Sequence, residues 1–404
     1  MIDHLFVYLG SSPGGARLTG EIFFAAKGGK LVSSTFRYDT GYLAWGGAFA
    51  IDPERGLHTG AQNAIRMPGA LQDCASDRWG RNLVTKERRE AALAEGRRAS
   101  TLTDPDFLIG VSDFTRQGAL RFRAVEDGAF LGEGTDVPKL IELPRLLHAA
   151  EAVSLGDDFG AIKELLDAGS GSLGGARPKA SVRDGEQLLI AKFPHPDDEW
   201  DVMAWEKTAL DLASLAGIRV PATQLAQVDD HSVLLLDRFD RRQLARVPYV
   251  SAMTLLSARD GDSHDYAEVA EALPEVSAAT RADLNELWRR VAFSILVNNT
   301  DDHLRNHGFL HESGGWRLSP AFDLNPNPDT GTPRQTGIGG AYDREAAWAA
   351  LHEYAKDFDL APVKERQILD EVTAAVSRWR EVASANRVGA KDLELFADAF
   401  WIPE

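Results

Sequence analysis

The densest group of chemically capable side chains is the run Asn298-Asn299-Thr300-Asp301-Asp302-His303-Leu304-Arg305-Asn306, followed by Leu318-Ser319-Pro320-Ala321-Phe322-Asp323. Phosphoryl transfer needs this combination: one carboxylate to orient the attacking hydroxyl and accept its proton, and an amide oxygen with a second carboxylate to hold magnesium against phosphates. Asp301 is the expected base, and Asn306 and Asp323 the expected metal ligands. Asp and Asn also cap ordinary loops, so Asp-x-x-x-x-Asn alone says little. An Asp-x-His-x-x-Asn core followed by a hairpin and a further Asp is far more restrictive. Asp302 is expected to be a neighbour, not a catalyst.

These residues need elements to carry them. The apolar spacing predicts a helix over 284–297 that delivers the loop. Gly308-Phe309-Leu310 and Trp316-Arg317-Leu318, turned at Ser313-Gly314-Gly315, form the hairpin that leads to Asp323. Upstream, Leu188-Leu189-Ile190-Ala191-Lys192-Phe193 reads as a strand whose lysine needs a partner. Glu206, on a helix near 203–216, offers the ion pair that positions a kinase lysine on the α and β phosphates. The loop Gly169-Ser170-Gly171-Ser172-Leu173-Gly174-Gly175-Ala176-Arg177-Pro178-Lys179 breaks regular structure, and glycine there lets backbone N–H groups approach phosphates. It is not a Walker A loop, having no Gly-Lys-Ser/Thr and a strand rather than a helix after it. Leu235-Leu236-Asp237-Arg238-Phe239-Asp240-Arg241 reads as a buried strand that runs out into a charged edge, where main-chain groups near Asp237 and Phe239 can hold a purine.

At 404 residues the chain exceeds what one compact core usually holds, so two lobes are expected, with nucleotide between them. Lys and Arg total 44 against 61 Asp and Glu, and the net charge of −17 disfavours a surface built to coat nucleic acid. The single cysteine, Cys74, excludes an internal disulfide and zinc frameworks, which suits the reducing cytoplasm. Leu5, Val7 and Leu9 alternate as in a first strand rather than a signal peptide, and no apolar stretch is long enough to span a bilayer. Residues 1–125 read as a small β-sheet with a helical insert over 77–95. Residues 126–250 carry the glycine loop and nucleotide strands, and 251–404 are helical. The fold class expected is α+β, a bilobal protein-kinase-like fold with a mixed α/β N-terminal lobe and an all-helical C-terminal lobe.

At this point the chain resembles the HipA family, the serine/threonine kinase toxins of type II toxin-antitoxin modules. The matching runs are Ser172 to Lys179, Ile190-Ala191-Lys192-Phe193-Pro194, Asp237 to Arg241, Thr300 to Asn306 and Leu318 to Asp323. Ser76-Asp77-Arg78-Trp79-Gly80-Arg81 and Arg116-Gln117-Gly118-Ala119-Leu120-Arg121-Phe122 match the family's first subdomain. The resemblance implies ATP and Mg2+ as cofactors, Asp301 as base, Asn306 and Asp323 on the metal, and Lys192, Asp237, Phe239, Gly174, Gly175, Ala176 and His303 on ATP. It places Glu206 against Lys192 and Ser172 where the family autophosphorylates and so switches itself off. It also implies a cytoplasmic protein with a protein substrate such as an aminoacyl-tRNA synthetase. The partner implied is a small helix-turn-helix HipB-like antitoxin that contacts operator DNA, with no membrane partner. Two departures stand out. Arg305 replaces the family's lysine, which keeps the charge with a different geometry. Asp302 stands where a small residue is common, and like-charge repulsion is expected to raise the pKa of one of the pair Asp301 and Asp302. The other readings are a small-molecule phosphotransferase, against which the long N-terminal subdomain argues, and a catalytically silent co-repressor acting with a DNA-binding antitoxin.

Overall fold

The computed structural model describes residues 2–12, 15–132, 137–156, 158–171, 175–243 and 245–403; Ser172 and Gly174 lie outside them. The chain divides into two compact units, one of residues 1–197 with 227–250 and one of residues 198–226 with 251–404.

In the first unit, strands β1 (His4–Ser12), β2 (Gly15–Lys27), β3 (Lys30–Tyr38), β4 (Gln62–Ala64) and β5 (Leu120–Arg123) form an antiparallel sheet in the order β4-β3-β2-β1-β5. Alternation buries Leu5, Val7 and Leu9 with Ile22, Phe24, Phe36 and Tyr38 on one face. Gly28 and Gly29, at φ 61° and 76°, make the two-residue turn that joins β2 to β3, a turn that requires both positions to be left-handed. The helical insert is Arg78–Ala94, capped by Asp77, within a residue of the expected span at each end. Helices Leu143–Leu155 and Phe159–Asp167 follow from the spacing of Leu146, Leu147, Ala150, Ile162 and Leu165, all buried.

A second antiparallel group in this unit runs β6 (Lys179–Asp184), β7 (Gln187–Lys192) and the strand His231–Asp237, with Ala180 opposite Ala191 and Ala191 opposite Leu235. Val233, Leu234, Leu235 and Leu236 are all buried, which accounts for the unbroken apolar run.

The second unit is mostly helical, interrupted by the expected hairpin, Gly308–Glu312 against Gly315–Leu318. Its central helix, Thr280–Leu296, is buried continuously from Leu287 to Leu296. Helix Val202–Leu215 contributes Trp205, which stacks on Phe396 at 4.1 Å. Helices Pro362–Val376 and Trp379–Ala385 are separate because the chain turns at Ser377 and Arg378 to stack Trp379 flat on Phe400, with centroids 4.5 Å apart. Among the described residues no helix is long and apolar enough to cross a membrane.

Candidate active site

Helix Thr280–Leu296 ends at Val297, and Asn298 then takes a left-handed φ of 52°, which Asn tolerates better than most residues, to turn the chain into the acidic loop. The loop is fastened to the segment beyond Asp323 by side-chain amides. Asn298 Nδ2 donates to the carbonyls of Asn327 at 2.6 Å and Asp329 at 3.1 Å, and Asn327 Nδ2 donates to Thr300 Oγ1 at 2.9 Å. Asn325 Nδ2 donates to Asp323 Oδ1 at 3.3 Å, while Asn325 N–H points to Asn299 Oδ1 at 3.4 Å. The two acidic stretches are therefore held as one unit rather than as independent loops.

Within that unit Asn306 closes a 3-10 turn, Leu304–Asn306, by donating its backbone N–H to His303 O at 2.8 Å. Its side-chain Nδ2 donates to Asp301 O at 3.2 Å, which turns the amide oxygen into the atom for a cation. Asp323 is itself left-handed, with φ 59°. Strain of this kind on a non-glycine residue is held only where surrounding bonds over-determine it.

Electrostatics join the two carboxylates, Asp301 and Asp323. Burial pushes the Asp301 carboxyl above its ordinary value; His303 opposes this, and the neighbouring charges of Asp323 and Asp302 add to it. Two carboxylates repelling each other, Asp301 exposed and Asp323 half-buried, beside an oriented amide oxygen suit a hard divalent cation. Among the described residues no group of three or more His, Cys, Asp or Glu side chains could hold a metal ion.

Asp302 has a role that the sequence reading did not see. It is 3% exposed, accepts from Tyr266 and Ser294, and faces His307 Nε2 at 3.1 Å. Burial alone would raise its pKa, but His307, Tyr266 and Arg334 hold it well below the usual carboxylate range. The like-charge pair has thus split, Asp301 upward and Asp302 downward. Arg305, the departure from lysine, forks onto Asp260, with Nη2 2.9 Å from Oδ2. Tyr266, Ser294, His307 and Arg334 carried no spacing signal, being far apart in the chain.

The other expected residues fall on the first unit, except Glu206. Lys192 ends β7, opposite Lys179 on one neighbour and Leu234 on the other; Asp237 ends its strand opposite Leu189. Gly175 and Ala176 lead into β6, and Gly175 has a φ of 96°. Glu206 is buried, 1% exposed, on helix Val202–Leu215 of the second unit. Asp237 is half-buried and its pKa is raised by burial, against a hydrogen bond from Gln187; the Phe239 ring lies 6.3 Å from that of Tyr249. The run is two-sided. Arg238, Asp240 and Arg241 turn inward to the loop before β5: Arg238 Nη1 donates to Thr115 O at 2.6 Å, Arg241 Nη2 to Arg116 O at 2.6 Å, and Gly118 N–H to Asp240 Oδ2 at 2.8 Å.

A helix delivering an Asp-to-Asn loop, a hairpin returning to a second Asp, and a separate sheet unit with a glycine segment define an α+β fold of the HipA class. The chain belongs to the HipA-like C-terminal domain family, which matches residues 171–379. The structure of HipA from Shewanella oneidensis MR-1, solved as a complex of HipA, HipB and operator DNA, superposes with a TM-score of 0.65 at 17% identity, covering 98% of this chain and 94% of that one. Two proteins of Sinorhizobium fredii are similar in sequence. "Putative kinase Y4dM" is 25% identical over 209 residues, covering 48% of this chain and 49% of that protein. "Putative kinase Y4mE" is 23% identical over 265 residues, covering 56% and 61%. The matches thus span about half to three-fifths of the length of these relatives.

Proposed function

We propose that this protein is an ATP- and Mg2+-dependent serine/threonine kinase of the HipA type, the toxin of a toxin-antitoxin pair, working in the cytoplasm. The observation that carries the reading is the coupled set Asp301, Asn306 and Asp323 on two loops tied together by amide hydrogen bonds. The family membership and the kinase names of its sequence relatives support it.

In this reading Asn306 and Asp323 would hold the magnesium, which would offset charge on the phosphates of bound ATP. Asp301 accepts the proton of the substrate hydroxyl as its oxygen bonds to the γ phosphorus; the bond from that phosphorus to the β-γ bridging oxygen breaks, and ADP leaves. The raised pKa of Asp301 makes it a better proton acceptor than an ordinary carboxylate. Lys192 binds phosphates and pairs with Glu206. Asp237 and Phe239 hold the purine, and the backbone of Gly174, Gly175 and Ala176, with His303, attends the phosphates. Ser172 is the autophosphorylation site. The substrate is a cellular protein such as an aminoacyl-tRNA synthetase, and the partner is a helix-turn-helix HipB-like antitoxin through which operator DNA is contacted; the Shewanella HipA structure is a complex with HipB and operator DNA.

The test is incubation of the purified chain with γ-labelled ATP, Mg2+ and a whole proteome. Label on protein, including the chain itself, supports the proposal. Label confined to metabolites points to a small-molecule phosphotransferase, and nucleotide binding without turnover to a silent co-repressor. Asp301→Asn and Asp323→Ala are each expected to lower transfer by at least about 10²-fold; full activity in either overturns the site assignment.

A further inference from the structure

The segment Ser76 to Arg81 lies outside the matched family domain, and the kinase reading gives it no task. It grips the glycine segment on both sides. Asp77 caps helix Arg78–Ala94 by accepting from Gly80 N–H at 2.6 Å through Oδ1, and its Oδ2 takes Lys179 Nζ at 2.9 Å. The two side chains of that ion pair are only 6% and 2% exposed. Trp79 donates its backbone N–H to Gly175 O at 3.3 Å and its indole N–H to Ser170 Oγ at 3.2 Å. Ser170 Oγ in turn donates to Lys179 O, closing the neck between the two ends. At Gly80 a Cβ would stand 2.5 Å from Gly171 Cα and 2.6 Å from Gly171 O, so the helix and the segment meet backbone to backbone.

One short stretch therefore holds Ser170 and Gly171 on the approach and Gly175 and Lys179 on the departure. It spends a buried ion pair on doing so, an arrangement worth little for stability alone. Lys179, although it sits in a glycine-rich run, has its ammonium held by Asp77.

We propose that Asp77, Trp79 and Gly80 are positioning residues for nucleotide: they fix both shoulders of the glycine segment, so that the N–H groups of Gly175 and Ala176 meet phosphates without being ordered first. This rests on the kinase reading. Pre-set donors bind more tightly because no conformational freedom is lost on binding. Freeing one shoulder residue is expected to weaken MgATP binding about five- to thirtyfold, the equivalent of ordering one residue.

Three full-length variants test this. Gly80→Ala improves helix propensity but drives a methyl into Gly171. Trp79→Phe keeps the ring and removes the indole N–H. Asp77→Asn with Lys179→Met keeps the helix cap and removes both buried charges. Hydrogen exchange without nucleotide should quicken in peptides covering 168–180 while β1 to β3 stay protected, and KM for MgATP should rise at least fivefold with kcat within about twofold of the parent. A merely structural role would move stability and leave KM alone. Unchanged exchange at 168–180, or faster exchange with unchanged KM, in both Gly80→Ala and Trp79→Phe overturns the proposal. Should the parent chain bind no MgATP, the kinase reading fails, and the exchange measurement alone then judges the grip.

Discussion

The phenol of Tyr266 donates to Asp302 Oδ2 at 2.5 Å, inside the second unit and one residue from the expected base. Ser294 donates to the same oxygen at 3.0 Å, and Arg334 Nη2 backs both donors, 2.9 Å from Ser294 Oγ and 3.3 Å from Tyr266 OH. Thr336 Oγ1 donates to Asp302 O at 2.6 Å. The loop between Asp301 and Asn306 is thus built around a buried carboxylate with a partner on every side. A buried charge stays in such a place only when its donors are fixed, so the network sets the loop's shape.

Asp302→Asn is expected to cost about 3–5 kcal/mol, because it leaves Arg334 and His307 facing a neutral amide. Tyr266→Phe should cost less, about 1.5–3 kcal/mol, the range for one hydrogen bond to a charged group. Urea unfolding checks the order of the two, and losses under about 0.5 kcal/mol would mean the network is not structural. Its folded pKa is depressed, so Asp302 contributes stability that is present above the unfolded value near pH ~4 and lost as pH falls below it. The Asn variant should accordingly show a shallower acid limb than the parent.

Asp301 has the opposite sign. Its folded pKa is raised by burial first, with Asp323 and Asp302 adding against His303, so its contribution to stability is complete below about pH 4 and lost as pH rises through the folded value. Without magnesium, Asp301→Asn should therefore melt at or above the parent temperature at pH 7, and the gap should close by about pH 3. A calorimetric melting series in a chelating buffer checks this. A variant clearly less stable at pH 7 would assign Asp301 to the scaffold rather than to chemistry.

The elements that carry the candidate site were legible because local spacing fixes them. Asp301 to Asn306 follow one helix, and Ser313-Gly314 is the turn of the hairpin before Asp323, with Glu312 paired to Gly315. The strands β1 to β3 were legible through alternation and the Gly28-Gly29 turn. What escaped was charge buried by distant partners. Apolar periodicity cannot announce that Asp302 meets Tyr266 and Arg334, or that Asp77 meets Lys179 across 102 positions. Nor could it show that Arg238, Asp240 and Arg241, which read as a charged edge, point inward. Segment 198–226 groups with the second unit because Trp205 packs on Phe396 there, a contact with no local signature.

Asp240 joins Arg238 and Arg241 at 2.6 and 2.7 Å, with all three side chains nearly fully buried. Burial alone would raise its carboxyl, but the two guanidiniums hold it well below the usual range. Asp240→Ala leaves two buried cations facing each other and is expected to destabilise the chain by about 3–5 kcal/mol. Hydrogen exchange should locate the loss at Thr115 to Gly118 and along His231–Asp237. If exchange changes only elsewhere, the triad does not fasten that loop.

His311 gives a separate pH signature. It faces Trp316 across the hairpin, edge to face, with centroids 5.1 Å apart at 82°. Burial lowers its pKa from 6.5 to about 4, so the folded state favours the neutral ring. Its contribution is therefore complete above about pH 6.5 and lost as pH falls from there towards 4, a window above that of Asp302. Discounted for the ring's partial exposure, the loss between pH 7 and pH 5 should be on the order of 1 kcal/mol. His311→Phe keeps the edge-on aromatic contact and cannot titrate, so its stability should be flat across that window while the parent's declines. Denaturant midpoints at pH 7, 6 and 5, followed by tryptophan fluorescence, make the comparison; parallel curves would show that the ring is protonated without penalty in the folded protein.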